Sequence, residues 1–254
     1  MQISHMSQAS PDAVANEDFV FASERFAVVL DGATDSGLPN GCAHGVAWLA
    51  RRLGGQLAAV LIEQPDLPLR EVLRQGIDGT CALHPGCDLD NPNSPASTVA
   101  MVRLSGGTLD CLALADSPVA VQTHDGELLL LDDDRTAHLP AYDRESVARL
   151  RNTDQGFWVA STRPEAADRA LTAAVPIARV RRFALVSDGV SRLVERYGWG
   201  WPQLLDTLEK QGPAAAIAAV REAERAAAPG TFKGKRHDDA TAAFGLPDQG
   251  DAVQ

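Results

Sequence analysis

The chain is short of cysteine, of basic charge and of long apolar runs, and each shortage removes a class of protein. Cys42, Cys81, Cys87 and Cys111 are too few and too scattered to staple 254 residues, and no CxxC pair occurs, so they read as reduced thiols. No stretch approaches the roughly 20 apolar residues of a spanning helix, and MQISHMSQAS lacks the basic-then-apolar layout of a secretory leader. The expectation is therefore a cytoplasmic protein without membrane contact. Basic residues number 23 against 34 acidic ones, a formal charge of −11 that repels phosphate backbones, so nucleic acid is not an expected partner. Aromatics are scarce as well, which makes Gly156-Phe157-Trp158 conspicuous; burial of both rings against a sheet is the expected outcome.

What remains, 45% hydrophobic and 22% charged residues, can bury a large core. Apolar alternation and β-branched runs predict strands over 2–8, 18–22, 25–31, 97–104, 108–115, 118–124, 127–131, 177–187 and 239–245. Helical periodicity covers 44–62, 69–83, 142–151, 164–171, 190–197, 201–211 and the alanine-rich 213–228. Strands arriving in hairpin-like succession, interrupted by pairs of helices, suit antiparallel sheets flanked by helices rather than a doubly wound parallel sheet. The predicted class is α+β, one domain over 1–247 with a loose tail at 248–254.

Two clusters invite a metal and are read more simply. Cys81, His84 and Cys87 offer three soft donors, but a fourth is not apparent and Pro85-Gly86 breaks the helix between them. A helix end with a half-buried thiol is the preferred reading, and zinc the minority one. The run Asp132-Asp133-Asp134 follows a strand, where a solvated turn accounts for it.

Other acids stand where carboxylates are costly. In AVVLDGAT, Asp31 ends a buried strand and is followed by Gly32; FALVSDGV repeats the arrangement at Asp188; LALADSPV presents Asp116; in KRHDDATAAF, Asp238 and Asp239 precede an apolar strand; NEDFV places Glu17 and Asp18 at a strand entrance. A carboxylate so placed must be paired, hydrogen-bonded or bound to a cation. Oxygen donors with hardly a thiol or imidazole among them suit Mg²⁺ or Mn²⁺ rather than zinc. Two such ions sharing one carboxylate would lower the pKa of a water held between them until hydroxide, a nucleophile for phosphoesters, exists near neutral pH. Gly32, without a side chain, lets its carbonyl approach an ion.

The succession NED, VVLDGAT, SPASTVAMV, LADSPVAV, FALVSDGV and HDDATAAF, spread over residues 16–244, is similar to the ordered motifs of the metal-dependent type 2C serine/threonine phosphatases. The resemblance implies a four-layer α-β-β-α sandwich with two central antiparallel sheets and a binuclear Mn²⁺ or Mg²⁺ centre, with a possible third ion. It implies Asp31 as bridging carboxylate, Gly32 as carbonyl ligand, and Asp188 and Asp238 as further ligands. Glu17 would reach the second metal through water with Asp18 beside it, and Asp116 would share a third ion with Asp188. Thr98 matches a position taken as support for the sheet.

The departures concern the substrate. Relatives carry an arginine four residues before the glutamate, where this chain has Ala13; Lys233, Lys235 and Arg236, just before Asp238, are the expected replacements for holding phosphate. Ala33 stands where some relatives have a general-acid histidine, and His44 is the candidate for that role. The implied activity is hydrolysis of phosphoserine or phosphothreonine in a protein, or of a small phosphoester, by metal-bound hydroxide. The alternative is a catalytically silent scaffold that binds phosphoproteins.

Overall fold

Alternation within the segment Phe26–Leu30 sets the layering. Ala27 and Val29 point into one core while Val28 and Leu30 point into another, and all four are buried. A strand apolar on both faces must be covered on both, since successive side chains leave a sheet on opposite sides. The computed structural model, in which residues 1–33, 37–232 and 234–248 are described, shows how.

In chain order the strands are β1 (Gln2–Gln8), β2 (Phe19–Ala22), β3 (Phe26–Leu30), β4 (Gly32–Ala33), β5 (Ala96–Ser97), β6 (Val99–Ser105), β7 (Thr108–Leu114), β8 (Val119–Thr123), β9 (Leu128–Leu131), β10 (Leu171–Pro176), β11 (Val180–Val186) and β12 (Ala240–Leu246). The helices are α1 (Val46–Glu63), α2 (Leu69–Cys81), α3 (Arg144–Leu150), α4 (Asp188–Glu195), α5 (Trp201–Gln211) and α6 (Pro213–Ala226). Two antiparallel five-stranded sheets result, ordered β1-β12-β11-β8-β9 and β10-β7-β6-β3-β2, with β4 and β5 forming a two-residue ladder beside them.

The sheets face each other across Ala27, Val29, Val102, Cys111, Val121, Phe183, Leu185 and Ala243. Leu53, Leu57 and Leu61 of α1 and Val72, Leu73 and Ile77 of α2 cover the outer face of the second sheet. Leu204, Leu205 and Leu208 of α5 and Ile217 and Val220 of α6, with Val190 of α4, cover the first. The four-layer α-β-β-α sandwich is thus observed.

Local expectations change over residues 164–176. The segment 164–171, predicted helical, forms only a 3-10 turn at Pro164–Arg169, after which β10 joins the sheet edge. β10 is mostly exposed and alanine-rich, so it lacks the β-branched alternation that marks the inner strands. Asp248, assigned to the tail, accepts a hydrogen bond from the chain's first ammonium at 2.9 Å. Phe157 and Trp158 are buried as expected, Trp158 within the core beneath α1 and α2.

Candidate active site

Both sheets deliver acids to the same end of the sandwich. β3 hands Asp31 to its terminus, β11 hands Asp188 to the first turn of α4, Asp238 precedes β12, and Asp116 lies in the turn from β7 to β8. Asp31, Gly32, Asp116, Asp188 and Asp238 line one pocket of about 630 Å³. The Asp188 amide donates to Asp31 Oδ2 at 3.2 Å, joining the two sheets at that point.

The backbone around Asp31 is clamped from β5 and β6. The Asp31 amide donates to Thr98 Oγ1 at 3.1 Å, Thr98 N donates to the Asp31 carbonyl at 2.9 Å, and Ser97 Oγ donates to the same carbonyl at 2.9 Å. Thr98 therefore supports the sheet, as expected. Glycine is obligatory twice. A Cβ at Gly32 would stand 2.5 Å from the Glu17 carbonyl, and one at Gly189 would stand 1.8 Å from that of Asp239.

Asp18 is the most constrained acid. It is 5% exposed, and neither carboxylate oxygen has a hydrogen-bond partner of acceptable geometry among the described residues. Burial raises its pKa to about 7, the charges of Asp239 and Asp238 add to the rise, and the nearby Thr241 and Ser187 hydroxyls oppose it. Burial also raises Asp31 well above the carboxylate range, followed by the charges of Asp18, Asp188, Asp116 and Asp238. Asp188 rises to about 7 through burial and then Asp238, with Arg192 opposing, although a third of its side chain is open toward the pocket. Asp116 is raised by burial, against a hydrogen bond from Thr136. These are groups that cannot all ionise together without cations. The oxygen-only donor set and the unpartnered oxygens of Asp18 fit hard divalent ions.

Glu17 stands apart from this pocket. It lines a neighbouring one of about 550 Å³ with Ala13, Lys235, Arg236, Asp238 and Asp239. Asp18, expected beside it, is the member of the pair whose charge acts on Asp31 and Asp188.

The adjacent aspartates before β12 divide their work. Asp238 faces the pocket, accepting from Arg192 and Lys235, each at 3.2 Å. Asp239, 7% exposed, turns inward and accepts the backbone amides of Ser10 at 2.7 Å and Glu17 at 2.6 Å, anchoring the segment that carries Glu17 and Asp18. Of the expected phosphate holders, Lys235 lines the pocket, Arg236 donates to the Glu224, Arg225 and Ala227 carbonyls at the end of α6, and Lys233 lies outside the described residues.

Sequence reading missed several charged groups here. Arg192 is fully buried and reaches Asp188, Asp238 and Glu224 at 3.7, 3.2 and 3.2 Å. In an amphipathic helix such an arginine looks like a surface residue; only the excess of acids around it signals otherwise. The Asp132–Asp134 run is more than a solvated turn. Asp133 is 3% exposed, pairs with Arg135, and accepts the amide of Ala115, whose φ of 61° is the left-handed bend that presents Asp116. Asp132, Glu195, Arg151 and Arg196 line the pocket. His44 does not; its Nδ1 is 3.6 Å from Cys42 Sγ and its ring stacks on Trp48.

Carboxylates gathered at the shared end of two facing antiparallel sheets, with helices outside, are an arrangement suited to a metal-dependent hydrolase of the αββα type. The profile described as Protein phosphatase 2C matches residues 4–221, and the chain belongs to that family, the metal-dependent serine/threonine protein phosphatases. Among solved structures, the PPM Ser-Thr phosphatase MsPP of Mycobacterium smegmatis in complex with cacodylate is similar at 17% identity, covering 96% of this chain and 97% of that one, with a TM-score of 0.61. The catalytic domain of serine threonine protein phosphatase PstP, in complex with 2 manganese ions, shows 19% identity over 96% of each chain and a TM-score of 0.59. The Mycobacterium tuberculosis phosphatase PstP/Ppp shows 16% identity over 96% of this chain and 97% of that one, with a TM-score of 0.60. At these identities the likeness speaks for the fold. No curated protein matches the sequence.

Proposed function

We propose that Asp31, the Gly32 carbonyl, Asp188, Asp238 and Asp18 hold two Mn²⁺ or Mg²⁺ ions, with Asp116 beside Asp188 as the place for a third, and that Glu17 acts from the outer side. Paired hard cations lower the pKa of water and draw charge from phosphoryl oxygens. The observation that carries this reading is Asp18: two buried carboxylate oxygens with no hydrogen-bond partner of acceptable geometry among the described residues, set among other raised acids, fit a cation.

The chain's own residues then have definable tasks. Thr98 and Ser97 fix Asp31, Asp239 fixes the Glu17–Asp18 segment, and Arg192 holds Asp188 and Asp238 on one side of the pocket. Lys235, Arg151 and Arg196 are the basic groups lining the pocket, and they replace the missing arginine at position 13 in holding the substrate phosphate. Water supplies the oxygen that bonds to phosphorus, the ester P–O bond breaks, and a proton passes to the departing alkoxide. No phosphoenzyme is formed. The substrate is a phosphoserine or phosphothreonine protein, or a small phosphoester, in the cytoplasm.

The test is hydrolysis of an aryl phosphate and of phosphoserine and phosphothreonine peptides, after chelation and again with Mn²⁺. Loss followed by recovery is expected. Failure to hydrolyse any of them in saturating Mn²⁺ overturns the reading, and Mn²⁺ binding without turnover would favour a phosphoprotein scaffold.

A further inference from the structure

A second donor set lies outside the acid pocket. Cys42, His44, His84 and Cys87 each offer one ligand atom within 4.8 Å of all the others, and none of the four lines the acid pocket. The first pair, C-x-H, immediately precedes α1; the second, H-x-x-C, follows α2. Antiparallel packing of α1 against α2 brings the pairs together, which is why neither declares a site alone.

The separations decide between a hydrogen-bonded cluster and a metal cage. With Zn–S near 2.3 Å and Zn–N near 2.0–2.1 Å, tetrahedral coordination requires sulfur–nitrogen edges of about 3.6 Å. The observed edges are 3.6 Å from Cys42 Sγ to His44 Nδ1, 3.5 Å from Cys42 Sγ to His84 Nδ1, and 3.5 Å from Cys87 Sγ to His44 Nδ1. Cys42 Sγ also accepts the His44 amide at 3.4 Å, an interaction suited to a thiolate. With a single S–H, Cys42 cannot donate to both ring nitrogens it faces.

The surroundings hold these donors in place. Trp48 stacks on His44 at 3.9 Å and meets His84 edge-on at 4.6 Å, so one indole sets both ring planes. The Asp88 amide donates to the Gly41 carbonyl at 2.9 Å, tying the two ligand loops, and Gly41 has a φ of +66° where a Cβ would meet Asp88 at 2.8 Å. His84 is buried while the other three are partly exposed, which leaves an entry path.

We propose that Cys42, His44, His84 and Cys87 bind one structural Zn²⁺, clasping the start of α1 to the loop beyond α2. Two thiolates and two imidazoles select zinc over the hard ions of the acid pocket, and four protein ligands leave no open position for catalysis. Cys81, the thiol first considered with His84 and Cys87, is outside the set and contacts the Ser161 carbonyl instead.

The test uses the full chain, purified reduced and without added metal, with zinc counted by mass spectrometry. One zinc per chain is expected, released by a thiol-modifying reagent; Co²⁺ in its place gives tetrahedral visible bands and a thiolate charge-transfer band. Cys42→Ser and Cys87→Ser should each weaken zinc binding about tenfold or more, whereas Cys81→Ser retains it. If either variant fails to fold, the Co²⁺ spectrum of the unaltered chain decides. A reduced protein that holds no zinc after incubation and shows no thiolate–Co²⁺ band overturns the proposal, as does equal loss of zinc in Cys81→Ser. These readouts do not depend on phosphatase activity, so they stand apart from the acid pocket's reading.

Discussion

Two donor clusters in one chain differ in nearly every respect that governs a metal's role. The acid pocket gathers carboxylates from the ends of strands, has a volume of about 630 Å³, and leaves Asp188 a third open. The thiol–imidazole cluster gathers soft donors from loops at helix ends, with His84 buried, the other three partly exposed, and Trp48 stacked on His44. Hard ligands with free coordination positions suit chemistry on a phosphate; soft ligands that saturate a tetrahedron suit holding a loop.

The sharpest way to break the comparison is at Asp31. Asp31→Asn should lower turnover by roughly three orders of magnitude while leaving zinc content unchanged. Because Asp31 is held well above its ordinary pKa by burial and by other acids, the same variant should unfold at a higher temperature than the unaltered chain when Mn²⁺ is absent. Activity that survives, or zinc that leaves with it, would show that the two clusters are not independent.

Beside the acid pocket, Asp18→Asn should weaken Mn²⁺ binding by about 10–100-fold, measured by titration, and Glu17→Gln by less. The reverse order would restore Glu17 as the principal ligand of the pair. At the adjacent aspartates the roles separate by readout. Asp238→Ala should reduce activity more than stability, whereas Asp239→Ala removes the acceptor for two backbone amides and should cost about 2–3 kcal/mol in denaturant unfolding.

A further effect is one of pH. Asp18 and Asp188 titrate near 7 in the folded chain without metal and near 4 when unfolded, so between those values the folded state binds more protons. Stability of the metal-free protein should therefore be greatest below about pH 4 as far as these groups contribute, and fall as pH rises toward 7. Mn²⁺ should flatten or invert that slope, which a series of thermal midpoints at several pH values would show.

Much of the acid pocket was legible because its residues obey a local rule: an apolar strand followed by Asp-Gly, as at Asp31 and Asp188, is unusual enough to notice in one sequence. The inner strands were legible for the same reason, apolar runs bounded by turns. β10 was not, because an exposed edge strand of alanine and threonine carries little periodic signal. Arg192 and Asp133 were missed since a buried charge and a solvated one read alike until the partners are in place. The Cys42–His44 pair was missed as a partner for His84 and Cys87 because their meeting depends on the packing of α1 against α2, a long-range fact that spacing does not contain.

The hydrogen bond from the Asp188 amide to Asp31 crosses from one sheet to the other. Asp31 and Asp18 belong to the sheet beneath α1 and α2, while Asp188 and Asp238 belong to the one beneath α5 and α6. Cations held among them, as proposed, would act as rivets through the sandwich, and neither half of the chain would own a complete set of ligands. On that reading manganese affinity would gauge how closely the halves are seated, and a substitution at the sheet–sheet seam, such as Phe183→Leu or Val121→Ala, would loosen the ions without touching them.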